Sequence, residues 1–134
     1  MDKEKLRKKA IEAMQNAYTP YSRFNVGCSI LMKDGKIIMG ANIENASYGL
    51  SNCAERSALF SAYSKGYRKE DIECMVVVGD TEEVISPCGA CRQVISELVN
   101  DNTEIILTNL KNDQLVITKE KLLPFSFSNK DMNK

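Results

Sequence analysis

Two short stretches hold residue types that can do chemistry together: Cys53-Ala54-Glu55 and Pro87-Cys88-Gly89-Ala90-Cys91. Each is placed to open a helix. Cys88 and Cys91 are three apart, a spacing that puts both sulfurs on one face of a first helical turn. A zinc ion at ~2.3 Å from each sulfur is then easy to hold. Helix N-termini favour thiolate over thiol, because unpaired N–H groups and the helix dipole stabilise negative charge. Cys53, at the start of its own helix, gains the same help. Three protein ligands leave a fourth position for water, as in catalytic zinc sites. Zinc can bring the pKa of such a water to about 7. Glu55, two residues from Cys53, is then placed beside that water as a proton shuttle.

Three thiolates on Zn²⁺ leave a net charge near −1, which weakens the metal as a Lewis acid. Arg56 and Arg92 follow the two motifs directly, and one or both are expected to donate hydrogen bonds to the sulfurs and withdraw that excess. Four plainer readings stand beside these. Arg56 and Arg92 could be solvated surface arginines. The C-x-x-C pair alone could be a redox pair, although the added C-x-E and Pro87 count against it. A structural zinc site could recruit Cys28 or Cys74 as a fourth ligand. Both of these lie inside apolar runs, Val26–Leu31 and Ile72–Val78, and read better as small core residues. Glu55 could be a solvated helix glutamate.

The whole chain limits what surrounds these motifs. Its 134 residues suit one domain, 1–134, and can bury a core without staples. Lys plus Arg and Asp plus Glu are 18 each. A polyanion selects a basic protein, so nucleic acid is not expected as the main partner. Five cysteines, an odd number, and no leader-like apolar stretch at the start point to reduced thiols and a cytoplasmic protein. No apolar run approaches the ~18 residues that span a bilayer, so no membrane partner is expected.

The elements that must position the motifs follow from periodicity. Asp2 to Tyr18 predicts an amphipathic helix with Leu6, Ala10, Ala13, Met14 and Ala17 inward. Phe24 to Met32 and Lys36 to Gly40 predict a hairpin turning at Asp34-Gly35. Ala41 to Asn52 is a polar loop. Cys53 to Tyr63 predicts a helix whose inner residues, Ala54, Ala58 and Ala62, let it sit close to a sheet. Met75 to Gly79 predicts a strand covered on both faces. Asp80 to Pro87 is a loop, and Cys88 to Asn100 a helix with Val94, Ile95, Leu98 and Val99 inward. Strands at Ile105–Leu107 and Leu115–Thr118, a short helix at Lys119–Leu123 and a mobile polar tail over 128–134 complete the chain. A hairpin followed by alternating helices and strands implies an α/β fold: a mixed sheet with helices on both faces, and a parallel crossover from Met75–Gly79 to Ile105–Leu107.

Zinc nucleobase deaminases carry H-x-E…P-C-x-x-C, with a three-cysteine version. This chain reads C-x-E…P-C-x-x-C and has no histidine. With Tyr18–Gly27, Asn42–Tyr48, Asn52–Arg56, Ser86–Gln93, and Leu122-Leu123-Pro124 followed by Phe127, it resembles the small homotetrameric cytidine deaminases. The resemblance implies a three-layer α/β/α sandwich around a five-stranded mixed sheet. It also implies Zn²⁺ on Cys53, Cys88 and Cys91, and Glu55 as acid/base. Asn42 and Glu44 would bind the sugar hydroxyls, Phe24 would pack near the pyrimidine, and the Ala54 backbone would contact the base. Tyr48 and Phe127 would reach an active site across a subunit boundary in a homotetramer. Phe125-Ser126 departs from the smaller residues that relatives often have there. Asn42 and Glu44 are two apart, so they point the same way if that stretch is extended.

The expected reaction is hydrolytic deamination of cytidine and deoxycytidine to uridine or deoxyuridine and ammonia, in pyrimidine salvage. Three rivals remain open from sequence: a deaminase of another cytosine-bearing small molecule such as blasticidin, an editor of single-stranded nucleic acid, and a structural zinc module.

Overall fold

The structure, a computed structural model, describes residues 2–132. Five strands form one mixed sheet: β1 (Val26–Met32), β2 (Ile37–Ala41), β3 (Ile72–Gly79), β4 (Glu104–Asn109) and β5 (Gln114–Ile117). Their spatial order is β2-β1-β3-β4-β5. The β3–β4 pair is parallel, as expected, and the other pairs are antiparallel. Four α-helices join them: α1 (Lys3–Met14), α2 (Ala54–Ser64), α3 (Gly89–Leu98) and the single turn α4 (Lys119–Leu122).

The central strand explains the layering. Along β3, Cys74, Val76 and Val78 face α1, where they pack with Leu6, Ala10 and Met14. Met75 and Val77 face the other way and pack with Ala58, Leu59, Ala62 and Ile95 of α2 and α3. Side chains alternate across a strand, so a continuous apolar run means two covered faces, which gives the expected three layers. Burying each of these aliphatic side chains is worth about 1.5–3 kcal/mol.

Two glycines set how closely the helices approach. A Cβ on Gly27 would lie 2.0 Å from the Ala10 carbonyl oxygen, and one on Gly40 would lie 2.4 Å from the Ala58 nitrogen. α1 therefore rests on the bare backbone of β1, and α2 on that of β2. The expected small residues Ala54, Ala58 and Ala62 are all fully buried at the α2 contact.

The element boundaries shift for identifiable reasons. α1 starts where the Asp2 side chain accepts from the Lys5 amide at 3.0 Å, and it stops at Met14 rather than Tyr18. Tyr18 is taken by another partner: its amide donates to Asn42 O, and its carbonyl accepts from the Glu44 amide. β1 begins at Val26 rather than Phe24, because the Phe24 carbonyl and the Val26 amide are bonded by the Asn42 side chain. β3 begins three residues earlier than the apolar run, since the exposed Glu73 interrupts the hydropathy but not the pairing of Ile72 with Met32. Arg7, one of the residues between the inward positions of α1, is buried, and its guanidinium donates to the Asn109 carbonyl at 2.9 Å. Within the tail expected to be mobile, Asn129–Met132 form a single 3-10 turn; the last part of that expectation, 133–134, lies outside the described residues.

Candidate metal centre and substrate cavity

The two helices that open at the motifs meet head to head. Cys53 is the residue that caps α2, and Cys88 the one that caps α3; both have extended backbone, φ/ψ −78°/159° and −68°/166°. Cys91 is buried in the first turn of α3. Neither capping side chain accepts from a backbone N–H of its own helix, so each sulfur can turn toward the other helix. The three Sγ atoms lie within 4.8 Å of one another, with Cys53 Sγ and Cys88 Sγ 3.7 Å apart. Tetrahedral zinc with ~2.3 Å bonds separates its sulfurs by roughly 3.8 Å. The thiols therefore fit zinc. Among the described residues these are the thiols, carboxylates or imidazoles that gather in this way. Cys28 and Cys74 are instead buried in the two cores.

Charge around the thiols is already arranged for an anion. The Arg56 guanidinium donates to Cys53 Sγ at 3.3 Å, as its position after the motif predicts. The Cys91 thiol, the Arg56 cation and Cys88 together pull Cys53 down to about 5, against the opposing effect of burial. Cys91 moves the other way, because a proton shared with Cys53 and its own burial both favour its neutral form.

Glu55 is 3 % exposed and faces the same cavity as Cys53 and Cys88, a space of about 320 Å³. Burial pushes its carboxyl up to about 7, aided by the negative charge on Cys53. Phe24, Asn42 and Ala54 line the same cavity. The opposite wall comes from the loop 80–87, through Thr81, Val84, Ile85 and Ser86. The sequence marked that segment only as a connection, although its direct lead into Cys88 was a signal for a wall.

The two residues expected at the sugar are separated by function. Asn42 donates from its amide to Phe24 O at 2.7 Å and accepts from Val26 N at 2.9 Å. It thereby holds the Phe24–Val26 backbone at the cavity. Glu44 lines a neighbouring space of about 400 Å³ with Tyr21, Ser22, Tyr48 and Ser51. Its carboxylate accepts from the amides of Tyr21 and Ser22, at 3.0 and 3.1 Å, and from the Ser22 hydroxyl. That hydroxyl in turn accepts from Phe24 N at 3.0 Å. These bonds, the Ser22 hydroxyl foremost, hold the Glu44 carboxyl below its usual range. Tyr48 is exposed, with its ring edge-on to Tyr21 at 6.0 Å. Phe127 is exposed as well, held by its carbonyl, which accepts from Gln93 Nε2 at 3.0 Å. Neither ring lines the cavity that contains Glu55.

One expectation is corrected. The Arg92 guanidinium bonds to oxygens rather than sulfur: Pro87 O at 2.9 Å, Leu122 O at 2.7 Å and the Ser86 hydroxyl. Successive helical residues point roughly 100° apart, so the residue after Cys91 is turned away from the metal site. Arg92 ties the turn before Cys88 to α4.

The comparisons agree with the geometry. Residues 1–107 match the family described as the cytidine and deoxycytidylate deaminase zinc-binding region. The cytidine deaminase of Halalkalibacterium halodurans is 56% identical over 133 residues, covering 99% of each chain. That of Sporosarcina psychrophila is 50% identical over 133 residues, covering 99% of this chain and 96% of its own. The crystal structure of cytidine deaminase from Burkholderia pseudomallei superposes with a TM-score of 0.92 at 49% identity, covering 95% of this chain and 100% of that one. A three-thiol cluster at two facing helix starts, a buried glutamate beside it, and relatives matched from end to end place this chain in the cytidine and deoxycytidylate deaminase zinc-binding family.

Proposed function

We propose that the chain is a zinc hydrolase that converts cytidine, and deoxycytidine with it, to uridine or deoxyuridine and ammonia. The observation that carries this is the buried Glu55 carboxyl sharing one cavity with the three thiols. Cys53, Cys88 and Cys91 would hold the metal. When bound there, zinc supplies Lewis acidity and makes a water easier to deprotonate. Glu55 takes that water's proton and delivers it to N3 of the pyrimidine, which makes C4 electrophilic. The water's oxygen then bonds to C4; Glu55 carries that oxygen's remaining proton to the exocyclic nitrogen, the C4–N bond breaks, and ammonia leaves with the oxygen kept on C4. A carboxyl near 7 can both accept and give a proton at neutral pH. Arg56 steadies the thiolate charge from outside the cavity. Phe24 and the Ala54 backbone pack and orient the ring, while Asn42 and Glu44 bind the sugar hydroxyls.

Further features belong to the same reading. Tyr48 and Phe127 reach a neighbouring subunit's site in a homotetramer with shared active sites, a reading that their exposed rings support. One sheet common to all the strands supports a single catalytic domain over 1–134. The free cysteines support a cytoplasmic location, and the reaction products a role in pyrimidine salvage. No described helix is long and apolar enough to cross a membrane, and zero net charge favours a small nucleoside over nucleic acid. The relatives' names favour cytidine over a blasticidin-like substrate.

The test is the loss of cytidine absorbance on adding purified protein. Turnover is expected, with a strong chelator abolishing it and added zinc restoring it. Glu55→Gln should retain zinc and lose at least about 10²–10⁴-fold in kcat. Unchanged absorbance with zinc-loaded parent protein would sink the reading.

A further inference from the structure

The loop 80–87 supplies one wall of the cavity and contains no helix or strand. Its conformation must therefore be imposed from elsewhere. A buried side chain at its root does this. Asn109 ends β4 directly beside Gly79, the last residue of β3, so it stands where the loop departs from the sheet. It is fully buried. Its Nδ2 donates to Thr81 O at 3.1 Å, Glu82 O at 3.3 Å and Asp113 Oδ2 at 2.9 Å. Its Oδ1 accepts from the amides of Lys111 and Asp113, both at 3.0 Å. Its main-chain carbonyl accepts from Arg7 of α1. The amide has two hydrogens for three acceptors, and so no spare capacity.

The remaining ties between this loop and the β4 end are weaker. The Ile85 amide donates to Thr108 O at 3.3 Å. Lys111 pairs with Glu82 at the surface, where an exposed ion pair contributes little. An asparagine suits the position because the loop offers carbonyls while the turn after β4 offers N–H groups. Aspartate has the same shape but only accepts, and would set a charge against two carbonyl oxygens.

We infer that Asn109 is a positioning residue: its amide fixes the backbone of Thr81 and Glu82, and through it the wall that the nucleoside packs against. The inference rests on the reading of this cavity as the cytidine site. Asn109 does not touch the thiols or Glu55, which α2 and α3 hold. A displaced wall therefore weakens binding of substrate and transition state together, which raises KM and leaves kcat near its parent value.

The experiment compares zinc-loaded parent and Asn109→Asp. In the variant, KM for cytidine should rise roughly 5- to 30-fold, in keeping with loss of buried hydrogen bonds. Its kcat should stay within about threefold and its zinc content should match the parent's. Hydrogen exchange over 80–87 should accelerate more than over α2. If Asn109→Asp is not recovered folded, Asn109→Ser is read in its place, since it shortens the reach without burying a charge. An active parent whose variant keeps KM, or loses kcat at constant KM, overturns the inference alone. A parent inert toward cytidine overturns the functional reading and this inference with it.

Discussion

The thiols of this chain sit in two kinds of place, and the contrast shows what makes a cysteine useful. Cys28 and Cys74 lie mid-strand, sealed between sheet and helix. Burial drives both thiols up, Cys74 to about 11. Cys53, Cys88 and Cys91 lie at helix starts, where N–H groups point outward, and an arginine reaches the first of them. In the strands the thiol is held neutral, whereas Cys53, at the head of α2, is held toward the anion. The partners brought to the sulfur, Cys91 and then Arg56, make the difference.

The sharpest break of this contrast is an exchange at each setting. Cys91→Ser should lose its zinc and drop turnover by more than the roughly 100-fold typical of a lost outer partner, whereas Cys74→Ala should keep both; metal analysis with the absorbance assay reads the pair. If Cys91→Ser retained zinc and rate, the head-to-head site would be misassigned. Arg56→Ala comes next. It should weaken zinc retention against a chelator by about tenfold, and unchanged retention with unchanged kinetics would make Arg56 a bystander. The smallest effect is on stability. The folded-state pKa of Cys74 is raised, so its contribution is fully present below about pH 9 and is lost as pH rises through about 11. Melting curves from pH 8 to 11 should fall more steeply for the parent than for Cys74→Ala. Parallel curves would show that the strand thiol does not titrate in the unfolding equilibrium.

Much of this was legible in the sequence because period and motif agreed. The apolar run of β3 and the small residues of α2 each have one economical reading, and the two cysteine motifs taken together favour metal over a redox pair. The misses share a cause: polar side chains whose partners are distant in sequence. Arg92 was placed by adjacency to Cys91, but helical rotation turned it to Pro87 and Leu122. Glu44 is read for a sugar hydroxyl, and the bonds its carboxylate also takes from Tyr21 and Ser22 are not visible from spacing. Asn109 carries no signal in the sequence, because nothing in its neighbours reveals that the loop beside β3 needs donors.

The bare backbone at Gly40 has a reach beyond its own strand. α2 lies on it, and the head of α2 carries both Cys53 and Glu55. The other two thiols ride on α3, whose seat is the β3–β4 crossover. A single methyl at position 40 would press on the α2 backbone itself, so the insult would travel along the helix to the end that grips the ion.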